Sequence, residues 1–172
     1  MDMLFGKKKA NDPGAGLEKA AGYSLKGDEL TRRHEFAEAE KWYLKAIAVL
    51  EPLAEQGGSM KVMRELSRAY SMMSVLGRAV TDEKKRAEAA GWLKKSLLID
   101  EKLAEADGSP QAWDDLACSY SGLGAMTLDA AYSEKALAIW NDLKRKHPEN
   151  AAYAKRVADE EFNIKKIKEL KG

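Results

Sequence analysis

Shifted against itself by 50 residues, the chain repeats: residues 36–71 lie over residues 86–121 without a gap, and 14 of the 36 pairs are identical. Average residue frequencies would give about two or three by chance. The pairs include Ala39/Ala89, Trp42/Trp92, Lys45/Lys95, Glu51/Glu101 and Leu53-Ala54-Glu55 over Leu103-Ala104-Glu105. They continue through Gly58-Ser59/Gly108-Ser109, Leu66/Leu116 and Tyr70-Ser71/Tyr120-Ser121, and upstream Gly27 pairs with Gly77 and Thr31 with Thr81. Beyond Ser121 the period shortens by ten, since Lys135-Ala136-Leu137 matches Lys95-Ser96-Leu97. Such self-similarity restricts the fold to stacked supersecondary units, because one unit alone leaves half its apolar surface in water.

Each unit reads as two helices. From Met60 to Val80 the set Met63, Leu66, Tyr70, Met73, Gly77 and Val80 recurs at steps of three and four, and so does Ala89, Leu93, Ser96, Ile99, Leu103 and Ala106. That spacing puts each set on one helical face. Gly57-Gly58 and Asp107-Gly108 are suited to end helices. Ser109 is suited to cap one whose first residue is Pro110, where the missing amide hydrogen costs nothing. Thr31, Thr81-Asp82 and Thr127 are expected to cap the second helices. Pro52 falls inside the first unit's second helix, which is expected to run to about Glu55 despite the lost amide. A last helix follows Pro148, with Tyr153, Val157, Ile164 and Ile167 on one face.

The third unit then resembles a known family. Trp113 to Gly124, ending in Leu123-Gly124, looks like the first helix of a tetratricopeptide repeat. Glu134 to Trp140 looks like the second helix, and His147-Pro148-Glu149-Asn150 like the turn that follows. The resemblance covers about residues 17–158, with the 50-residue spacing of a lengthened subclass from bacterial multi-repeat proteins. In the second unit Met73-Ser74 stands where Leu-Gly would be. The fold expected is all-α, a right-handed helical-repeat solenoid of three antiparallel helix pairs plus a C-terminal capping helix. Its divisions are a flexible tail over 1–16 and a repeat domain over 17–172, with units at about 17–57, 58–107 and 108–147 and the cap over 149–170.

The chemistry expected is that of a binding surface. Lys plus Arg is 29 and Asp plus Glu 28 in 172 residues, a net charge of +1. That balance argues against phosphate-driven nucleic-acid binding and against a polybasic membrane contact. No apolar run approaches the roughly 18 residues of a membrane span. The first residues lack the apolar core of a secretory signal. A lone cysteine, Cys118, excludes an internal disulfide and fits a reducing, cytoplasmic compartment. His34 and His147 read as solvated helix ends, the adjacent carboxylates Asp114-Asp115 and Glu160-Glu161 as solvated faces, and Trp42, Trp92, Trp113 and Trp140 as core knobs. Neither a catalytic cluster nor a metal or cofactor site is expected.

In tetratricopeptide arrays the first helices line a concave face, so the resemblance directs attention there. On the face opposite the buried stripe lie Arg64, Arg68, Ser71, Met72, Val75 and Arg78 in the second unit, and Cys118, Ser121 and Ala125 in the third. Small residues leave room for a guest backbone, and arginines fork onto carboxylates. The expected function is a non-catalytic adaptor for a partner protein segment, acidic in character, with self-association as the alternative and a monomer or weak homo-oligomer as the state. Arrays that clamp the C-terminal carboxylate of heat-shock chaperones use Lys, Arg and Asn at positions held here by Ala21, Leu25, Met72, Cys118 and Gly122. That specialised use does not fit.

Overall fold

The computed structural model describes residues 12–79 and 83–171. Among the described residues the regular structure is helical throughout: α1 (Pro13–Arg32), α2 (Phe36–Glu55), α3 (Met60–Arg78), α4 (Glu83–Asp107), α5 (Pro110–Thr127), α6 (Ala130–Lys146) and α7 (Ala151–Lys171). Helix α1 packs on α2, α4 on α5, α5 on α6 and α6 on α7. The connections within these pairs are two to four residues long. Loops that short leave neighbouring helices antiparallel.

Several helix ends follow from local chemistry. Gly57 (φ 84°) and Gly108 (φ 64°) take the left-handed conformation that ends α2 and α4. The Ser109 hydroxyl accepts from the Ala112 amide at 3.2 Å, ahead of Pro110. Asn150 does the same for α7, its Oδ1 accepting from Ala152 at 3.1 Å. Helix α2 does run to Glu55 with Pro52 inside it, because Pro52 sits in the last turn, where only one internal amide bond is forfeited.

Other ends differ from expectation. Pro13 to Gly16, assigned to a flexible tail, form the first turn of α1, where Asp12 accepts from the Gly14 amide at 3.0 Å. Residues 1–11 lie outside the described residues, as does the expected cap Thr81-Asp82. Thr31 and Thr127 do not cap the second helices: each lies in the last turn of a first helix. Their hydroxyls donate back to Gly27 O at 2.8 Å and Leu123 O at 2.7 Å. A threonine hydroxyl satisfies itself on the carbonyl four residues back, so inside a helix it has no need to cap the next one. Asp129 caps α6 instead.

The chain parts into two compact units between Leu66 and Ser67, inside α3. Helix α3 serves two sets of neighbours. Near its start Val62 closes over Leu53 and Gly58, whereas Ser67, Tyr70 and Ser71 engage α4. In the first unit Ala20, Leu30, Ala39, Ala46, Leu50 and Leu53 are buried together with Tyr43, which lies against Gly27 and whose hydroxyl donates to Asp28 at 2.6 Å. In the second, Leu93, Leu97, Leu116, Leu123, Trp140, Leu143, Tyr153 and Val157 form one core.

Every repeat carries an aromatic pair with a lysine over it: Tyr23–Trp42 with Lys45, Tyr70–Trp92 with Lys95, and Tyr120–Tyr132 with Lys135. The quadrupole of each ring attracts the ammonium. This packing corrects the reading of the tryptophans as core knobs. Only Trp140 is buried, while Trp42, Trp92 and Trp113 are half-buried, since their outer faces are shared with cations or cavities.

Helices α5 and α6 come close together at Gly124. A Cβ there would sit 2.3 Å from Ser133 Oγ and 2.9 Å from the Ser133 backbone nitrogen. The side-chain oxygen could swing away, but the backbone nitrogen moves only with its helix. Gly124→Ala is therefore expected to destabilise the protein by about 1–3 kcal/mol, measured by urea unfolding. An unchanged midpoint would mean that the two helices separate at no cost.

Candidate functional site

The second unit is organised around one buried carboxylate. Asp100, on α4, is 5% exposed. It accepts from Ser119 of α5 at 2.6 Å, from Ser96 at 3.2 Å, and from Ser67 of α3 in a short bond. Ser96 Oγ also lies 2.8 Å from Ser67 Oγ and 2.8 Å from Ser71 Oγ. Burial pushes the Asp100 carboxyl above the usual carboxylate range, the hydroxyls of Ser119, Ser67 and Ser96 hold it down, and Asp115 adds a small push upward. Through this node α3 and α5 are both tied to α4. The repeat offers no warning of it. Ser96 aligns with Ala46 and Ala136, and Asp100 with Leu50 and Trp140, all buried apolar residues.

The sequence-derived surface residues divide once placed. Val75, Arg78, Cys118 and Ala125 are exposed and Met72 is half-buried, so they line the outer side of α3 and α5. Arg64 and Arg68 are exposed as well, and each already engages another group of the chain. Ser71 is turned onto Ser96 of α4. Ser121 donates to Glu160 of α7 at 2.5 Å. Those two hydroxyls belong to the packing between helices and not to an open surface.

Two carboxylates expected on solvated faces are buried. Asp114 accepts from Trp140 Nε1 at 2.7 Å and from Arg156 at 2.9 Å and 3.0 Å, a two-pronged ion pair joining α5, α6 and α7. Glu160 is 1% exposed, and its Oε2 also accepts from Asn163 at 3.2 Å. Their sequence neighbours Asp115 and Glu161 are exposed, as the roughly 100° turn between adjacent helical residues requires. Tyr120 donates to Glu101 at 2.6 Å, and burial together with that carboxylate pushes its phenol up to about 12. Cys118 keeps an exposed edge. The helices around its thiol still desolvate it and push it up to about 11, with Arg156 pulling down and Asp114, Asp115 and Asp100 pushing up. At neutral pH it is therefore a thiol and not a nucleophilic thiolate.

Trp113 floors a place that repeat reasoning missed. Two adjoining cavities of about 370 and 490 Å³ share Trp113, Ala138 and Ile139. Asp142, Lys146 and His147 line the first, and Glu101, Glu105 and Lys135 the second. The signal available in sequence was that Trp113 aligns with Met63 at the 50-residue shift, so it stands outside the Trp42/Trp92 repeat pair.

No helix among the described residues is long and apolar enough to cross a membrane. No family model matches the chain, and no curated protein matches it. Among solved structures it is similar to a de novo designed helical repeat protein, with 12% identity, a TM-score of 0.48, and 92% of this chain and 96% of that one covered.

Proposed function

We propose that the chain is a non-catalytic protein-interaction module of the cytoplasm, one that holds a partner segment on the outer side of α3 and α5. The observation that carries this reading is the face itself. Val75, Ala125 and the edge of Cys118 are exposed on two helices tied together from behind by Asp100. A rigid face loses little conformational entropy on binding, and its small residues let a guest backbone come close. Arg78 at the edge favours an acidic amphipathic segment. The titratable groups behind the face are committed to structure, Asp114 to Trp140 and Arg156 and Asp100 to three serines. Such commitment suits a scaffold better than proton-transfer chemistry. A second reading rests on the Trp113 cavities, which suit one apolar side chain of a partner.

Crosslinking mass spectrometry on the native complex, followed by titration with the partner found, separates the two. Val75→Glu with Ala125→Glu is expected to weaken binding about tenfold or more, equivalent to about 1.4 kcal/mol, while Ala138→Glu at the cavities leaves it unchanged. The reverse pattern moves the site to Trp113. Loss of binding in neither variant rejects both. Arg78→Ala should flatten the salt dependence, because it removes a screened charge contact.

A further inference from the structure

The buried side of α7 is Tyr153, Val157, Glu160, Ile164 and Ile167. Its other side carries Phe162, 57% exposed, and Leu170, 71% exposed, among exposed alanines and charged side chains. Exposed residues on that side recur as 155, 158/159, 162, 165/166 and 169, steps of three and four that make a straight seam along a helix. We propose that this seam is a self-association surface, on which α7 of a second copy lies antiparallel about a two-fold axis at Phe162.

The occupant follows from the order of side chains about that residue. In a two-fold antiparallel pair, the residue n places before the axis meets the residue n places after it on the other copy. Lys155 then faces Glu169, Asp159 faces Lys165, and Ala154 faces Leu170. Ala158 faces Lys166, whose stem is apolar and whose ammonium already lies 4.7 Å from the Phe162 ring centroid. Each contact occurs twice. A parallel pairing would set Lys155 on Lys155 and Lys165 on Lys165, which repel. The intrachain pair Lys165–Glu169 is long at 3.9 Å and exposed, so exchanging it for contacts across the seam costs little. The surface is separate from the α3–α5 face, and its test is independent of any partner.

Sedimentation equilibrium on the full chain should show mass rising with concentration from one chain towards two. Phe162→Glu is expected to weaken association at least tenfold, since it removes an aromatic from both sides of the axis. Its melting temperature in dilute solution should match the parent, because the side chain is exposed. Lys155→Glu should weaken association several-fold through two like-charge contacts, and adding Glu169→Lys should recover most of the loss. On a Cys118→Ser background, Phe162→Cys should form an intermolecular disulfide readily, because a residue on the axis meets its own copy. Ala152→Cys should not, being about 30 Å from its copy along the pair by helical rise. The proposal is overturned if the mass stays that of one chain at every concentration, if Phe162→Glu associates as the parent does, or if the two cysteine variants crosslink equally.

Discussion

Ending the chain at Pro148, which removes α7, is expected to lower the free energy of unfolding by several kcal/mol. The helix buries Tyr153, Val157, Ile164 and Ile167, of which Tyr153 and Val157 sit in one core with Trp140 and Leu143. Burying a large apolar side chain is worth about 1.5–3 kcal/mol. An extended reference for the unfolded chain overstates that figure, so about half the simple sum is the reasonable expectation. Arg156 and Glu160 leave with the helix, but Asp114 and Ser121 are then wetted, and water replaces the lost partners. Arg156→Ala in the whole chain is the sharper test of that ion pair. It keeps Asp114 under cover with Trp140 as its remaining donor, and should cost about 1–3 kcal/mol, discounted because the arginine side chain is 40% exposed. Urea titration followed by tryptophan fluorescence reads both variants. A truncated chain that melts with the parent would mean that α7 rides on the core without stabilising it.

The Asp100 cluster should respond in opposite directions to two kinds of replacement. Asp100→Ala leaves the buried hydroxyls of Ser67, Ser96 and Ser119 without their acceptor and opens a small cavity, at about 2–4 kcal/mol. Replacing the whole cluster by what the other repeats hold, Ser67→Ala, Ser96→Ala, Ser119→Ala and Asp100→Leu together, should be neutral or stabilising by about 1–4 kcal/mol, since a well-packed apolar set avoids the desolvation of a carboxylate. The sign with pH follows from the raised carboxyl. Its ordinary value is 3.8 and burial lifts it in the folded chain. The folded state therefore holds its proton more tightly than the unfolded one. The stability this contributes is fully present below 3.8 and is lost as pH rises through the lifted value. Asp100→Asn cannot ionise, so its stability relative to the parent should improve across that window and level off above it. A difference that stays flat from acid to neutral pH would show that the carboxyl does not change its proton affinity on folding.

Much of the helix layout was legible because its causes are local. Gly57 and Gly108 end helices because a left-handed residue costs glycine nothing, and Ser109-Pro110 starts one because hydroxyl and ring both suit a first turn. The buried stripe Leu66, Tyr70 and Met73 follows from spacing alone. Thr31 and Thr127 were misread for a reason equally local: a hydroxyl can bond forward to an amide or back to a carbonyl, and spacing does not choose between them. Pro13 to Gly16 looked irregular because a proline and two glycines carry no periodicity, yet Asp12 ahead of a proline is itself a start signal.

By itself, the order of residues determined that this is a helical repeat, since period and stripe depend only on neighbours three or four places away. Tertiary structure alone decided the fate of the polar side chains. Asp114 meets Arg156 across 42 residues of chain, Ser121 meets Glu160 across 39, and Asp100 gathers Ser67 and Ser119 from 33 and 19 residues away. Whether a serine on a stripe edge faces water, a partner or a buried carboxylate depends on which helix lies beside it. Binary patterning scores all three cases alike, because it counts apolar residues and is blind to the acceptor on the next helix. What stays exposed is the remainder after those internal bonds are made, which is why Ser71 and Ser121 are turned inward while Val75, Arg78 and Ala125 face solvent.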